Sequence, residues 1–331
     1  MSQSLDTAPL PALPPRPDDG HKGTFGTVVV VGGCCAGGVV MAGAPALAGR
    51  AALRAGAGLC RLLMPGPVLG LGLGMLPSAT GLDLPVDGEG AIVPHAAAEV
   101  LDRAVAGATS LVVGPGLGSG PGVESVALRL LSHAEIPIVA DADAINAMAR
   151  IPDVFREIRC PLILTPHPGE FRRLAESMRL TLDPTSRATR PDAAAALAQR
   201  LGCVVVLKGA GTVVSDGLRT WRCDRGHPCL ATAGTGDVLA GLLAGLIAQH
   251  WDPLKAKFGA SPGLYDLARI AVDAHARAGE RWAKRHAPAG LLAQELADLL
   301  PEALAAGTPL PEGVSHGQAG TARVVDRPAG T

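Results

Sequence analysis

The segment Ala231-Thr-Ala-Gly-Thr-Gly-Asp237 sets one carboxylate beside residues too small to cover their own backbone. It opens a long apolar helical run, Val238 to Ala248. Backbone N–H groups at such a start reach an anion unobstructed, and the helix dipole adds to the attraction. Gly234, Thr235 and Gly236 are therefore candidates for an anion hole. Asp237 has two readings: an acidic first-turn residue favoured by the dipole, or a general base beside the bound anion.

Four further segments carry chemistry. Lys208, Gly209, Ala210, Gly211 and Thr212 offer one cation, one hydroxyl and a pliable backbone to nucleotide phosphate or ribose, or else form a plain turn. No GxxxxGK[ST] occurs, so this is not a Walker A loop. Gly114-Pro-Gly-Leu-Gly118 and the Gly-rich stretch 32–38 permit close backbone approach. Neither completes a dinucleotide fingerprint, which argues against a nicotinamide dehydrogenase. In Asp141-Ala-Asp-Ala-Ile-Asn146 two carboxylates either bind Mg²⁺ through water or order the loop by capping a helix. His167, held between two prolines in Thr165-Pro-His-Pro-Gly-Glu170, faces substrate or packs against a helix from Phe171. His21-Lys22-Gly23 contacts phosphate or simply solvates an edge.

The elements that must position these residues are legible too. Six short apolar runs are expected as strands: Thr27–Val31, Leu59–Leu63, Ser110–Val113, Pro137–Ala140, Pro161–Thr165 and Cys203–Leu207. Uniformly apolar runs of this length suit strands buried on both faces. Helices are expected near 45–56, 96–105, 121–133, 191–201, 234–249, 264–285 and 291–299. Strand–helix alternation predicts an α/β fold, a parallel sheet between helical layers. Ligands of such sheets bind beyond the carboxyl ends of the strands. The glycine loops, the Asp pair, His167 and Lys208 all directly follow an expected strand. Residues 1–20, rich in Pro and Asp, are expected as a mobile leader, 21–303 as one domain and 304–331 as a flexible tail.

Composition narrows the function. Aromatics make up 2% and the net charge is −1, which disfavours base-stacking platforms and phosphate-neutralising faces, so no nucleic-acid partner is expected. Seven cysteines without a CxxC pair suggest reduced thiols in a cytoplasmic protein, and Cys34, Cys60, Cys160 and Cys203 are expected as core filling. Neither a signal peptide nor a membrane-spanning run is expected.

Seven segments together resemble one family, the ADP/ATP-dependent NAD(P)H-hydrate dehydratases of the ribokinase-like superfamily. They are HKGTFGTVVVVGG at 21–33, GAPALAGRAALRAGAG at 43–58, VGPGLG at 113–118, DADAIN at 141–146, LTPHPGEF at 164–171, LKGAGTVV at 207–214 and ATAGTGDVLAG at 231–241. The GTGD helix start is shared with many ribokinase-like kinases, whereas its combination with TPHPGEF and KGAGT is selective. The resemblance implies a ribokinase-like three-layer α/β/α sandwich with a mostly parallel central sheet. It implies phosphorylation, from ADP or ATP, of the 6-hydroxyl of the S form of hydrated NADH or NADPH, then loss of phosphate to restore the coenzyme. By resemblance Asp237 is catalytic and substrate-binding, Gly234, Thr235 and Gly236 form the anion hole, and Gly236 also meets adenylate. Lys208–Thr212 bind the nucleotide, and Ala44, Gly118 and His167 meet the hydrated coenzyme. Mg²⁺ is implied as a phosphate-bridging cofactor without dedicated protein ligands, a homo-oligomer (tetramer) as the assembly, and a separate epimerase as the enzyme sharing the metabolite.

The sequence departs from the family at Cys34, where Ser is frequent, at Met41, where a nearby Tyr is frequent, and along 65–85. Two rival readings share the fold: a ribokinase-like kinase of a small alcohol, and a nucleotide-sensing module without activity. The first would release a stable phosphorylated product. The second would be expected to have lost Asp237, which is present.

Overall fold

The computed structural model describes residues 4–307 except 134, 258 and 260. The chain enters through β1 (Thr27–Val31) and passes α1 (Gly43–Arg54), β2 (Leu59–Pro65), α2 (Gly66–Met75) and β3 (Thr80–Leu84). It continues through α3 (Pro94–Val105), β4 (Ser110–Val113), α4 (Pro121–Leu131), β5 (Ile138–Ala140) and α5 (Asp143–Met148). Next come β6 (Leu162–Leu164), α6 (Pro168–Ser177), α7 (Arg190–Leu201), β7 (Val204–Leu207), β8 (Val213–Ser215) and β9 (Thr220–Arg222). Four helices close the described chain: α8 (Thr235–His250), α9 (Pro253–Lys257), α10 (Leu264–Ala283) and α11 (Ala293–Gly307).

One nine-stranded sheet runs in the order β3-β2-β1-β4-β5-β6-β7-β8-β9. The first seven strands of that order are parallel, and β8 and β9 add an antiparallel edge. Successive strand residues alternate between two cores. Val28, Val30, Val112, Ile163 and Val206 face one core with α1, α8, α10 and α11. Val29, Val31, Leu111, Leu164 and Leu207 face another with α3, α4, α6 and α7. Period-two alternation of wholly apolar strands thus fills both faces, as a sheet covered on both sides requires.

All six expected strands are present. The sequence reading missed β3, β8 and β9, and also α2, whose GPVLGLGLGM carries four glycines and a proline. Helix α8 is buried on all sides, from Val238 to Ile247. It lies so close to α1 that a Cβ on Gly241 would stand 1.9 Å from the Ala48 carbonyl oxygen, and one on Gly245 would stand 2.6 Å from that of Ala52. The two rows of small residues, four apart on each helix, let the backbones meet.

The expected mobile leader is strapped to the body across its described part. The Asp6 N–H donates to the Thr220 carbonyl of β9 at 2.7 Å, and the Tyr265 hydroxyl donates to the Asp6 carboxylate at 2.9 Å. Arg269 donates to the Ala8 carbonyl, Leu13 packs on the core, and the Arg16 guanidinium sits 3.4 Å over the Phe25 ring. Proline-rich sequence supplies little secondary structure but costs little entropy to fix, so a few such contacts hold it. The expected tail begins inside α11; beyond 307 it lies outside the described residues. The four cysteines expected in the core are buried, and none of the seven forms a disulfide. Among the described residues no helix is long and apolar enough to cross a membrane.

Candidate active site

The carboxyl ends of β5, β6 and β7 deliver Asp141, Thr165, His167 and Lys208 to the start of α8. Gly234 caps that helix with a positive φ of 89°, a conformation that an L side chain adopts at a cost. No side chain caps α8, and the earliest N–H to fold back is that of Val238, onto the Gly234 carbonyl at 3.0 Å. The N–H groups of Thr235, Gly236 and Asp237 therefore find no acceptor within the helix. The Thr235 hydroxyl, which would compete for an anion, is turned away to the Leu230 and Thr232 carbonyls, both at 3.0 Å.

A cavity of about 470 Å³ opens beside this helix start. Lys208, Gly209, Ala210, Gly211, Thr212, Thr235 and Gly236 line it, so the sequence-predicted nucleotide loop and anion hole converge. Ala231 adds to this lining, and the remaining wall carries no sequence expectation: Arg187, Cys223 to Pro228, Leu230, Leu239, Val272, His275 and Ala276. Another residue outside the sequence reading braces the loop from behind. The guanidinium of buried Arg190 donates to the carbonyls of Leu207, Lys208 and Ala210 at 2.7–2.8 Å. Three carbonyls drawn to one side turn the Gly209 and Gly211 N–H groups, which share peptides with two of them, to the other, while the Lys208 N–H donates to the Pro166 carbonyl at 2.8 Å.

The polar floor of the crevice is a linked set of charges. The Lys208 ammonium lies 2.6 Å from the Asp141 carboxylate and 3.9 Å from that of Glu170. Thr165 donates its hydroxyl to Asp141 at 2.6 Å. Burial pulls the Lys208 pKa down, but Asp141 and then Glu170 outweigh that and raise it above the ordinary value. Asp141 thus neither caps a helix nor stands free for a metal; it anchors a lysine. Asp143 is the first residue of α5, and its carboxylate accepts the Gly118 N–H at 2.8 Å, tying the glycine loop after β4 to the same floor.

His167 is the N-cap of α6, a role that neither sequence expectation included. Its Nδ1 accepts the N–H of Gly169 at 2.9 Å, while the Glu170 carboxylate accepts the His167 N–H at 2.8 Å, a reciprocal capping box. Burial, then Lys208 and Arg173, lower its pKa, so the imidazole is neutral. Ala44 sits at the start of α1, where a Cβ on Gly116 would approach it to 3.4 Å. Gly118 lies against Cys34, whose backbone bridges to Met41. Two of the three departures from the family pattern, Cys34 and Met41, therefore share one corner of the crevice with Gly118 and Ala44. Ala44, Gly118 and His167 lie outside the lining of the 470 Å³ cavity.

Asp237 lies among these charged groups. It follows cavity-lining Gly236 directly, and it feels the charges of Asp141, Lys208, Asp143 and Glu170. Burial pushes its pKa up to about 7, Asp141 adds to the rise, and Lys208 opposes it. A carboxyl poised near neutrality beside unpaired amides is suited to general-base work.

A family model described as NAD(P)H-hydrate dehydratase matches residues 28–302. The chain belongs to the NAD(P)H-hydrate dehydratase family. It is 36% identical over 302 residues to an ADP-dependent (S)-NAD(P)H-hydrate dehydratase of Xanthomonas campestris, covering 90% of this chain and 95% of the relative. It is 37% identical over 307 residues to a bifunctional NAD(P)H-hydrate repair enzyme of Salinibacter ruber, covering 92% of this chain and 53% of that one. The chain thus spans about half the length of the bifunctional relatives. The crystal structure of the ADP/ATP-dependent NAD(P)H-hydrate dehydratase of Bacillus subtilis, co-crystallised with ATP and Mg²⁺, superposes with a TM-score of 0.70 at 30% identity, covering 89% of this chain and 95% of that one. A ribokinase-like superfamily protein of Enterococcus faecalis superposes at 0.71 with 24% identity, covering 90% and 93%. The ribokinase-like α/β/α architecture expected from the sequence is the observed one.

Proposed function

We propose that this chain dehydrates the S form of hydrated NADH and NADPH, using ADP or ATP. The observation that carries the reading is the place of Asp237 within a dehydratase-family fold: it directly follows cavity-lining Gly236 and lies in the charge network of Asp141, Lys208, Asp143 and Glu170, the last two of which hold the Gly118 and His167 N–H groups. The nucleotide occupies the cavity, with its phosphates at Lys208–Thr212 and at the N–H groups of Thr235 and Gly236. The hydrated coenzyme lies against Ala44, Gly118 and His167 with its 6-hydroxyl at Asp237.

Hydroxide is a poor leaving group at neutral pH, whereas phosphate is a good one. Asp237 takes the hydroxyl proton as the oxygen attacks the terminal phosphorus, and the bond from that phosphorus to the nucleotide breaks. The anion hole holds the charge that develops on the transferred group. The C6–O bond then breaks with phosphate leaving, a proton departs from C5, and the C5–C6 double bond returns. The products are reduced coenzyme, inorganic phosphate and AMP (ADP when ATP is the donor). Among the described residues no three carboxylate, imidazole or thiol groups converge to hold a metal, and Asp141 already carries Lys208 and Thr165. That donor set fits Mg²⁺ held by the phosphates, with Asp143 and Asp237 reaching it through water; there it would neutralise phosphate charge. The reading extends to a cytoplasmic homo-oligomer, a tetramer, working beside a separate epimerase.

The test is absorbance at the reduced-nicotinamide band. Purified protein is mixed with chemically hydrated NADH, Mg²⁺ and either ADP or ATP, and recovery is expected with equimolar phosphate release. Recovery without nucleotide, or a stable phosphorylated product, would sink the reading. Asp237→Asn is expected to bind ADP with near-native affinity and to lose turnover about 10²-fold or more.

A further inference from the structure

The cavity wall contains two imidazoles, His227 and His275, to which the proposed reaction gives no part. His275 lies on α10 and lines the cavity opposite the nucleotide loop. Its Nε2 is 2.9 Å from the Thr235 carbonyl oxygen. A carbonyl only accepts, so Nε2 carries the proton and donates. Burial drives the pKa of this histidine down to about 4, which keeps the ring neutral while the carbonyl holds its tautomer.

The bond has a geometric consequence. The Thr235 carbonyl and the Gly236 N–H belong to one planar trans peptide, so they point in opposite directions. Whatever fixes the carbonyl fixes the N–H. Gly236 lines the cavity, and its N–H is one of those without an acceptor in the helix. Glycine brings no side chain that would set this plane from within. The surroundings of His275 are firm. A Cβ on Gly279, one turn further along α10, would meet the Leu230 side chain at 2.7 Å, and the Cys229 thiol donates to the Gly279 carbonyl at 3.4 Å. Helix α10 therefore clamps the 229–235 segment and holds its first turn into α8 at one point.

We propose that His275 is a positioning residue of the anion hole, aiming the Gly236 N–H at the transferring phosphoryl group through the Thr235 carbonyl. This rests on the nucleotide-dependent reading given above. A donor aimed where charge develops acts mainly in the transition state, so its misalignment lowers kcat more than ground-state affinity.

Two variants separate this role from plain packing. In His275→Gln the amide nitrogen sits as many bonds from Cβ as Nε2 does and still reaches the carbonyl. In His275→Asn it falls one bond short, with polarity kept. Turnover of hydrated NADH, ADP affinity by calorimetry and Tm are measured for both and for the unmutated protein. The expected result is a kcat about tenfold lower in the Asn variant, with ADP affinity within threefold, and a Gln variant within threefold of the unmutated enzyme in both. As a direct readout, ADP is expected to shift the Gly236 amide resonance fully in the unmutated and Gln proteins and less in the Asn protein. Unchanged kcat in the Asn variant overturns the inference. So does a Gln variant as impaired as Asn, or a parallel loss of ADP binding and Tm in both. If the unmutated protein itself neither binds ADP nor restores reduced coenzyme, the functional reading fails, and this inference with it.

Discussion

Asp237 is a carboxyl that water would leave ionised at neutral pH, yet the fold holds it near the midpoint of its titration. Burial comes first, Asp141 second, and Lys208 restrains the rise. The base is competent only when deprotonated, so kcat is expected to climb with pH through about 7 and then level, which a pH–rate profile will show. Stability runs the other way. The folded value lies above the unfolded carboxylate value of 3.8, so between those pH values the native state keeps a proton that the unfolded chain has lost. The contribution of this group is full below the unfolded value and vanishes as pH rises through the folded one. Asp237→Asn is therefore expected to melt higher than the unmutated protein at pH 8, the gap closing towards pH 4 in a thermal scan series. A lower Tm at pH 8 would contradict the origin assigned to the shift.

At the scale of elements, the seating of α8 on α1 decides where Asp237 sits. Gly241→Ala drives a methyl into the Ala48 carbonyl, with 1.9 Å available, and backbone cannot swing aside as a side chain can. A loss of about 1–3 kcal/mol is expected by chemical denaturation, with turnover falling as the helix start shifts. Gly70→Ala in α2 meets nothing within 4 Å and is expected to be neutral or to stabilise by up to about 1 kcal/mol. What could be read from the sequence follows the same logic. The Val-rich strands and the glycine loops after them carry local signals: the six expected strands formed, and Lys208–Thr212 line one cavity with Thr235 and Gly236. Helix α2 hid behind its glycines, and β8 and β9 are three residues long. The wall at 223–228, Arg190 and His275 have no local signature, since their roles arise from which carbonyl the fold brings near. Asp141, His167, Lys208 and Glu170 all stand out in the sequence, but the pairing of Asp141 with Lys208 and of His167 with Glu170 does not. A carboxylate in sequence shows its charge but not its neighbour.

At the scale of the whole molecule, the amino-terminal strap joins distant parts. Arg269 is 2% exposed, and its charge is met by Asp6 and Asp266 at 3.6 and 3.2 Å. Asp6→Ala removes one of these partners and the acceptor of the Tyr265 hydroxyl. It is expected to cost about 1–3 kcal/mol in unfolding free energy without changing turnover. Equal stability would mean that the strap rests on the body without contributing to it.

The proposed meeting of nucleotide and hydrated coenzyme at one carboxylate also governs the order of events. Asp237 acts there as a base, not as a carrier of the phosphoryl group. Donor and acceptor must then be aboard together, so double-reciprocal rate lines at several fixed nucleotide levels should intersect. Parallel lines would reveal a relay through the protein itself.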